Sequence, residues 1–129
     1  MELIDHIGDF MKVCIPSNEN GGFEASICEH FGRASYYTLV DTETDTVEVL
    51  PNIGEHMGGT RKPPEILSES GVEVMLCSGI GPRAINMFEN YCIDVYVGAK
   101  GTVKDALKSW NTGNLEEATK ENACKSHQH

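Results

Sequence analysis

Val72-Glu73-Val74-Met75-Leu76-Cys77 runs directly into Ser78-Gly79-Ile80-Gly81-Pro82, and the reading of this junction decides the fold. The first part is apolar and β-branched with one acid, the composition of a buried strand. Gly79, Gly81 and Pro82 then break the strand and open a helix whose Ala84, Ile85, Phe88 and Tyr91 share one face. Val95-Tyr96-Val97, stopped by Gly98, is the returning strand. Strand, helix and strand make a parallel unit with a right-handed crossover.

The rest of the chain is read outward from this unit. Downstream, Thr102 with Asp105 three residues on resembles a capping box, and Val103, Ala106, Leu107 and Trp110 recur at helical spacing until Gly113. Residues 114–129 are polar and aperiodic, which predicts a flexible tail. Upstream, Val13-Cys14-Ile15 is a short strand buried on both faces and ended by Pro16. Residues 17–35 form a long loop, and a loop of that length is usually functional. Residues 36–40 and 47–50 make a hairpin across the turn at 41–45. A second loop, 51–60, carries Gly54, Gly58 and Gly59; Pro63-Pro64 then opens a helix with Ile66 and Leu67, stopped by Gly71. Residues 1–10 read as an N-terminal extension, with Met11 a second plausible start, and 11–113 as one α/β domain.

The predicted fold is a mixed five-stranded sheet in the order 3-2-1-4-5, with strand two antiparallel and helices on both faces. In that topology the two long loops, the Cys77–Gly81 turn and Gly98-Ala99-Lys100-Gly101 all leave one rim of the sheet. Cys28, His30, His56 and Cys77 should meet there, where the strand order diverges and open α/β sheets bind ligands. Cys14 lies within a strand and Cys92 at the opposite rim.

Composition narrows the function. The chain has 129 residues and a formal net charge of −10, so its field repels phosphate backbones, and no basic patch is visible in the sequence. Neither nucleic acid nor a membrane is an expected partner, and no apolar run approaches a membrane span. Five cysteines without a Cys-x-x-Cys pair, and no leader-like opening, point to reduced thiols and a cytoplasmic protein.

Each candidate also has a structural reading. Cys77 at a strand end is equally a small buried hydrophobe. His30 beside Phe31-Gly32 can simply orient its loop, and His56 can simply be solvated. Gly32 supplies backbone freedom, and Arg33 can pair with a surface carboxylate or an anionic ligand. Cys124, His127 and His129 in the tail have ligand chemistry without a scaffold. Gly79-x-Gly81-x-x-Ala84 matches a dinucleotide fingerprint, but the next parallel strand ends in Gly98-Ala99-Lys100 without the acid that would hold a ribose. Pro82 also removes an amide from the turn, so a nucleotide is not expected. No Gly-x-Ser-x-Gly occurs, no His–carboxylate pair is placed to activate Cys77, and the first strand has no acid for two-metal nuclease chemistry. An enzyme is not expected.

His30-Phe31-Gly32-Arg33-Ala34 with Tyr36 or Tyr37 following, Gly79-Ile80-Gly81 with Ala84, and Gly98-Ala99-Lys100-Gly101-Thr102-Val103 together resemble the dinitrogenase iron–molybdenum cofactor biosynthesis family. Its members are the small NifX-like proteins and the C-terminal domain of NifB. The resemblance covers residue 11 to about Trp110 in order and spacing. It implies a ribonuclease-H-like fold and a carrier of iron–sulfur or iron–molybdenum-type clusters or their precursors. The implied partners are metallocofactor assembly or acceptor proteins, and the carrier would be a monomer or weak homo-oligomer. The residues implied at the cofactor are His30, Gly32, Arg33, Gly79 and Gly81. Cys28 and Cys77 depart from the common family pattern and favour a sulfur-bound cargo, because thiolate and imidazole suit iron–sulfur units, copper(I) and zinc. The expected metal set is therefore His30 and Cys77, assisted by Cys28 and His56. A regulatory or scaffold protein of the same fold, without metal, is the alternative.

Overall fold

The central strand, β1 (Lys12–Ser17), buries Val13, Cys14 and Ile15 completely, as a continuous apolar run does when both sheet faces are covered. This is a computed structural model, and it describes residues 11–52 and 63–118. On one side β1 pairs antiparallel with β2 (Tyr36–Asp41), which forms the hairpin with β3 (Thr46–Pro51). On the other side it pairs parallel with β4 (Val72–Leu76), which in turn pairs parallel with β5 (Asp94–Val97).

Alternation along these strands divides the core in two. Cys14, Leu39, Met75, Cys77 and Val95 face one side, with Leu67 of α1 (Pro63–Glu69) and Ile85 and Phe88 of α2 (Pro82–Asn90). Val13, Ile15, Val40, Val74 and Leu76 face the other, with Val103 and Ala106 of α3 (Val103–Asn111). Helices therefore cover both faces, as expected.

The strand count needs correction. Among the described residues the sheet has six strands, in the order β3-β2-β1-β4-β5-β6. The sixth, β6 (Glu116–Ala118), falls in what reads as a tail and pairs antiparallel with β5, Val97 opposite Glu116 and Val95 opposite Ala118. Gly113, at φ +77, turns the chain back. Its sequence carries no strand signal, because a three-residue edge strand is held by backbone hydrogen bonds and its two acids keep the open edge in water.

Pro16 does not end β1. It pairs with Tyr37 in β2, and its carbonyl accepts from Cys28 N–H at 2.9 Å. The 17–35 segment is likewise stitched down. Ser17 bridges Ile27, Ile27 N–H donates to Gly101 O at 2.9 Å, and Val103 N–H donates to Ala25 O at 2.9 Å. The N-terminal extension (residues 1–10), His56 with most of its loop, and Cys124, His127 and His129 lie outside the described residues.

Candidate functional site

Three connections leave the same rim and enclose a groove of about 1060 Å³. The β1–β2 connection contributes His30 and Phe31, the β4–α2 turn contributes Gly79 and Gly81, and the β5–α3 turn contributes Lys100. Arg83 and Met87 of α2 complete the wall.

Each wall is positioned by its own local chemistry. Phe31 is the anchor of the first. It packs edge-on against Phe88 at 5.3 Å and tilted against Tyr37 at 6.0 Å, geometry that suits aromatic quadrupoles. The Cys28 thiol donates to His30 O at 3.2 Å, and Arg33 N–H donates to the same carbonyl at 2.9 Å. With Phe31 held in the core, the His30 side chain is left exposed at the groove. The second and third walls are tied together: Ser78 Oγ donates to Ala99 O at 2.5 Å, and Ala99 N–H donates to Cys77 O at 3.1 Å.

At the start of α2, Gly81 is the N-cap, Pro82 follows it, and no side chain accepts from the first-turn amides. The N–H groups of Arg83 and Ala84, both on the groove, are thus not taken by a cap. Such a helix end favours negative charge. Among the described lining residues, Arg83 and Lys100 add two cations at this rim of an acidic chain, and Glu29 is the acid.

The predicted site residues separate. His30, Gly79 and Gly81 line the groove. Gly32 and Arg33 lie in the short turn after His30, and Arg33 is exposed and not on the groove wall. Cys28 and Cys77 are not on the wall either. Both are buried, in the apolar cluster that also holds Phe31 and Ile80. Burial pushes the Cys77 thiol up to about 12, so it remains protonated at neutral pH, and it donates weakly to Tyr96 O at 3.6 Å. Among the described residues, no three His, Cys, Asp or Glu gather closely enough to hold a metal ion.

The sequence alone does not single out Arg83, Lys100 and Met87. The available signal was positional: Arg83 is the second residue of the helix after Gly79-x-Gly81, and Lys100 sits between Gly98 and Gly101.

The sequence profile of the dinitrogenase iron-molybdenum cofactor family matches residues 11–113, and the chain belongs to that family. It is similar to the uncharacterised protein MJ0580 of Methanocaldococcus jannaschii, 28% identical over 112 residues that span 82% of this chain and 90% of that one. A candidate NifB protein from Thermotoga, TM1290, placed in the DUF35 family, superposes with a TM-score of 0.68 at 31% identity, over 83% of this chain and 92% of its own. The apo form of the orange protein from Desulfovibrio gigas superposes with a TM-score of 0.73 over 85% and 94% of the two chains. At 23% identity that likeness is one of fold. Among the described residues no helix is long and apolar enough to cross a membrane.

Proposed function

We propose that the groove receives an anionic iron–sulfur or iron–molybdenum-type cluster, or its precursor, and passes it to an acceptor protein of metallocofactor assembly. One observation carries this reading: the wall combines Arg83, Lys100, an uncapped helix start and one exposed imidazole, in a chain of net charge −10. Positive potential concentrated at one place on an acidic protein selects a compact anion. A carrier must protect its cargo and still release it. His30 supplies one exchangeable ligand, the amides of α2 and the two cations hold charge, and Met87, Ile80 and Phe31 exclude water. With the two rim cysteines buried, the protein's own hold on the metal is weak in covalent terms, which suits hand-over. The reading is one of binding and delivery rather than catalysis.

Anaerobic reconstitution with iron and sulfide, followed by metal and sulfide analysis, tests the reading. The Arg83→Gln/Lys100→Gln double variant and His30→Ala should each retain less cluster than wild type, with unchanged thermal unfolding of the apo protein. Equal cluster content in all three sinks the carrier reading. Absence of cluster from wild type, together with a stable protein partner in pull-downs, favours a regulatory or scaffold role.

A further inference from the structure

The face of the sheet under α1 and α2 holds a group of side chains that the groove does not use. Cys14 of β1 lies opposite Met75 of β4, and Cys77, just past the end of β4, packs in the same cluster on that face. Both are fully buried free thiols. Tyr37 of β2, 5% exposed, brings its hydroxyl to the same cluster. That Oη is completely buried and finds no hydrogen-bond partner among the described residues. Burial keeps this phenol and the Cys14 thiol protonated, and any negative charge forming on a neighbouring cysteine would add to that effect. Cys14, Cys77 and the less buried Cys28 thus share one apolar cluster with a phenol that is unsatisfied among the described residues, an uncommon arrangement, because buried polar groups are almost always paired.

We infer that Cys14 and Cys77 form an internal two-coordinate site for a soft monovalent cation such as Cu(I), with Tyr37 O–H donating to the Cys14 sulfur of the complex. The site is distinct from the groove and does not rest on the function proposed for it. Soft thiolates select Cu(I), and since no three potential ligands gather around one point among the described residues, the ion must be one content with two. Binding converts two thiols and one cation into a bis-thiolate complex of charge −1 and releases two protons. An anion in an apolar interior needs a hydrogen-bond donor, and Tyr37 Oη is a donor without an acceptor among the described residues. Cys28, at 6% exposure, is the one thiol of the three with residual access. It is the point of entry, passing the ion inward by exchange.

The test uses the full chain carrying Cys92→Ser and Cys124→Ser, which removes the exposed thiol and the tail thiol. It is titrated with Cu(I) without oxygen, against a chromophoric chelator. Uptake of about one equivalent with about two protons released is expected, and copper K-edge absorption should report two sulfur neighbours. Cys14→Ala and Cys77→Ala should abolish this binding. Tyr37→Phe should weaken it about tenfold, the weight of one hydrogen bond to a charged sulfur. Cys28→Ala should slow uptake without changing the stoichiometry. Unchanged affinity in Cys14→Ala or Cys77→Ala overturns the site, as does a copper environment of nitrogen or oxygen donors. If either alanine variant fails to fold, the absorption spectrum and the Tyr37→Phe affinity decide the matter alone: sulfur-only coordination with a weakened variant supports the site, and any other result removes it.

Discussion

Helices α2 and α3 are each nine residues long and start at the same rim, yet their N-termini are closed in opposite ways. At α3, Asp105 N–H donates to Thr102 Oγ1 at 3.2 Å and Thr102 N–H donates to Asp105 Oδ2 at 3.0 Å, a complete capping box. Gly101, at φ +87, makes room for it, since a Cβ there would collide with the Asp105 carboxylate. At α2 the cap position is Gly81, which offers no side chain. One helix satisfies its own first turn, and the other leaves those donors facing the groove. The contrast says which start is structural and which is available to a ligand. It also predicts that α2 depends on packing where α3 shares the work with its cap.

The largest effect should come from that packing. Phe88 is fully buried, and its ring receives Phe31 from the groove wall. Phe88→Ala should cost about 3–5 kcal/mol in urea unfolding. Hydrogen exchange should show α2 opening locally while α3 stays protected. Equal loss of protection in both helices would mean that the two faces of the sheet fold as one unit and that the contrast has no energetic content.

The cap is worth less. Thr102→Ala should destabilise by about 1 kcal/mol and leave cluster retention unchanged, because Thr102 does not line the groove. Asp105→Ala in that background should add little, since the two halves of the box fail together. A drop in bound cluster with Thr102→Ala would show that the α3 start is not merely structural.

How much of this contrast is legible in the sequence differs between the two helices for a physical reason. Thr102-x-x-Asp105 states its own geometry, because both partners lie within one turn. Strand order, face assignment and the meeting of His30 with Gly79 and Gly81 also follow from local signals: apolar runs, glycine turns and the right-handed crossover rule. The cysteines are a different matter. Which way Cys77 faces at the end of β4, and whether Cys28 turns in or out, depends on pairing with Met75's neighbours and on Phe31 drawing its loop into the core. Those are contacts between segments remote in sequence. Strand β6 is hidden for a related reason, since Glu116-Glu117-Ala118 has no pattern apart from its partner β5. Arg83 and Lys100 read as ordinary surface charges until the fold brings them to one groove.

Acid should separate the helices further. The backbone and side-chain hydrogen bonds from Thr102 hold the Asp105 carboxyl below its usual range. A depressed folded value stabilises above the unfolded value, about 3.9, and that contribution is lost as pH falls through the lower folded one. Helix α2 has no acid in its first turn. Asp105→Asn should therefore be less stable than wild type between about pH 5 and 7, and the two should converge as the pH drops below about 4. Parallel curves over the whole range would show that the carboxylate charge adds nothing to the cap.

The smallest change in stability makes the sharpest test of the contrast: give α2 the cap it lacks. Gly81 has φ −83 and ψ 164, an extended conformation open to any residue, and a Cβ there would meet nothing within 4 Å. Gly81→Ser should be accepted without strain, its hydroxyl taking the N–H of Ala84 as Thr102 takes that of Asp105. The gain should be only a few tenths of a kcal/mol, because glycine is itself a tolerable cap. The same hydrogen bond removes a donor from the groove, so the variant should melt slightly higher and retain less reconstituted cluster. Stability and binding then move in opposite directions, which a general disturbance of the fold does not produce. If Gly81→Ser holds cluster as well as wild type, the open helix start is not part of the binding surface, and Arg83, Lys100 and His30 must account for it by their side chains.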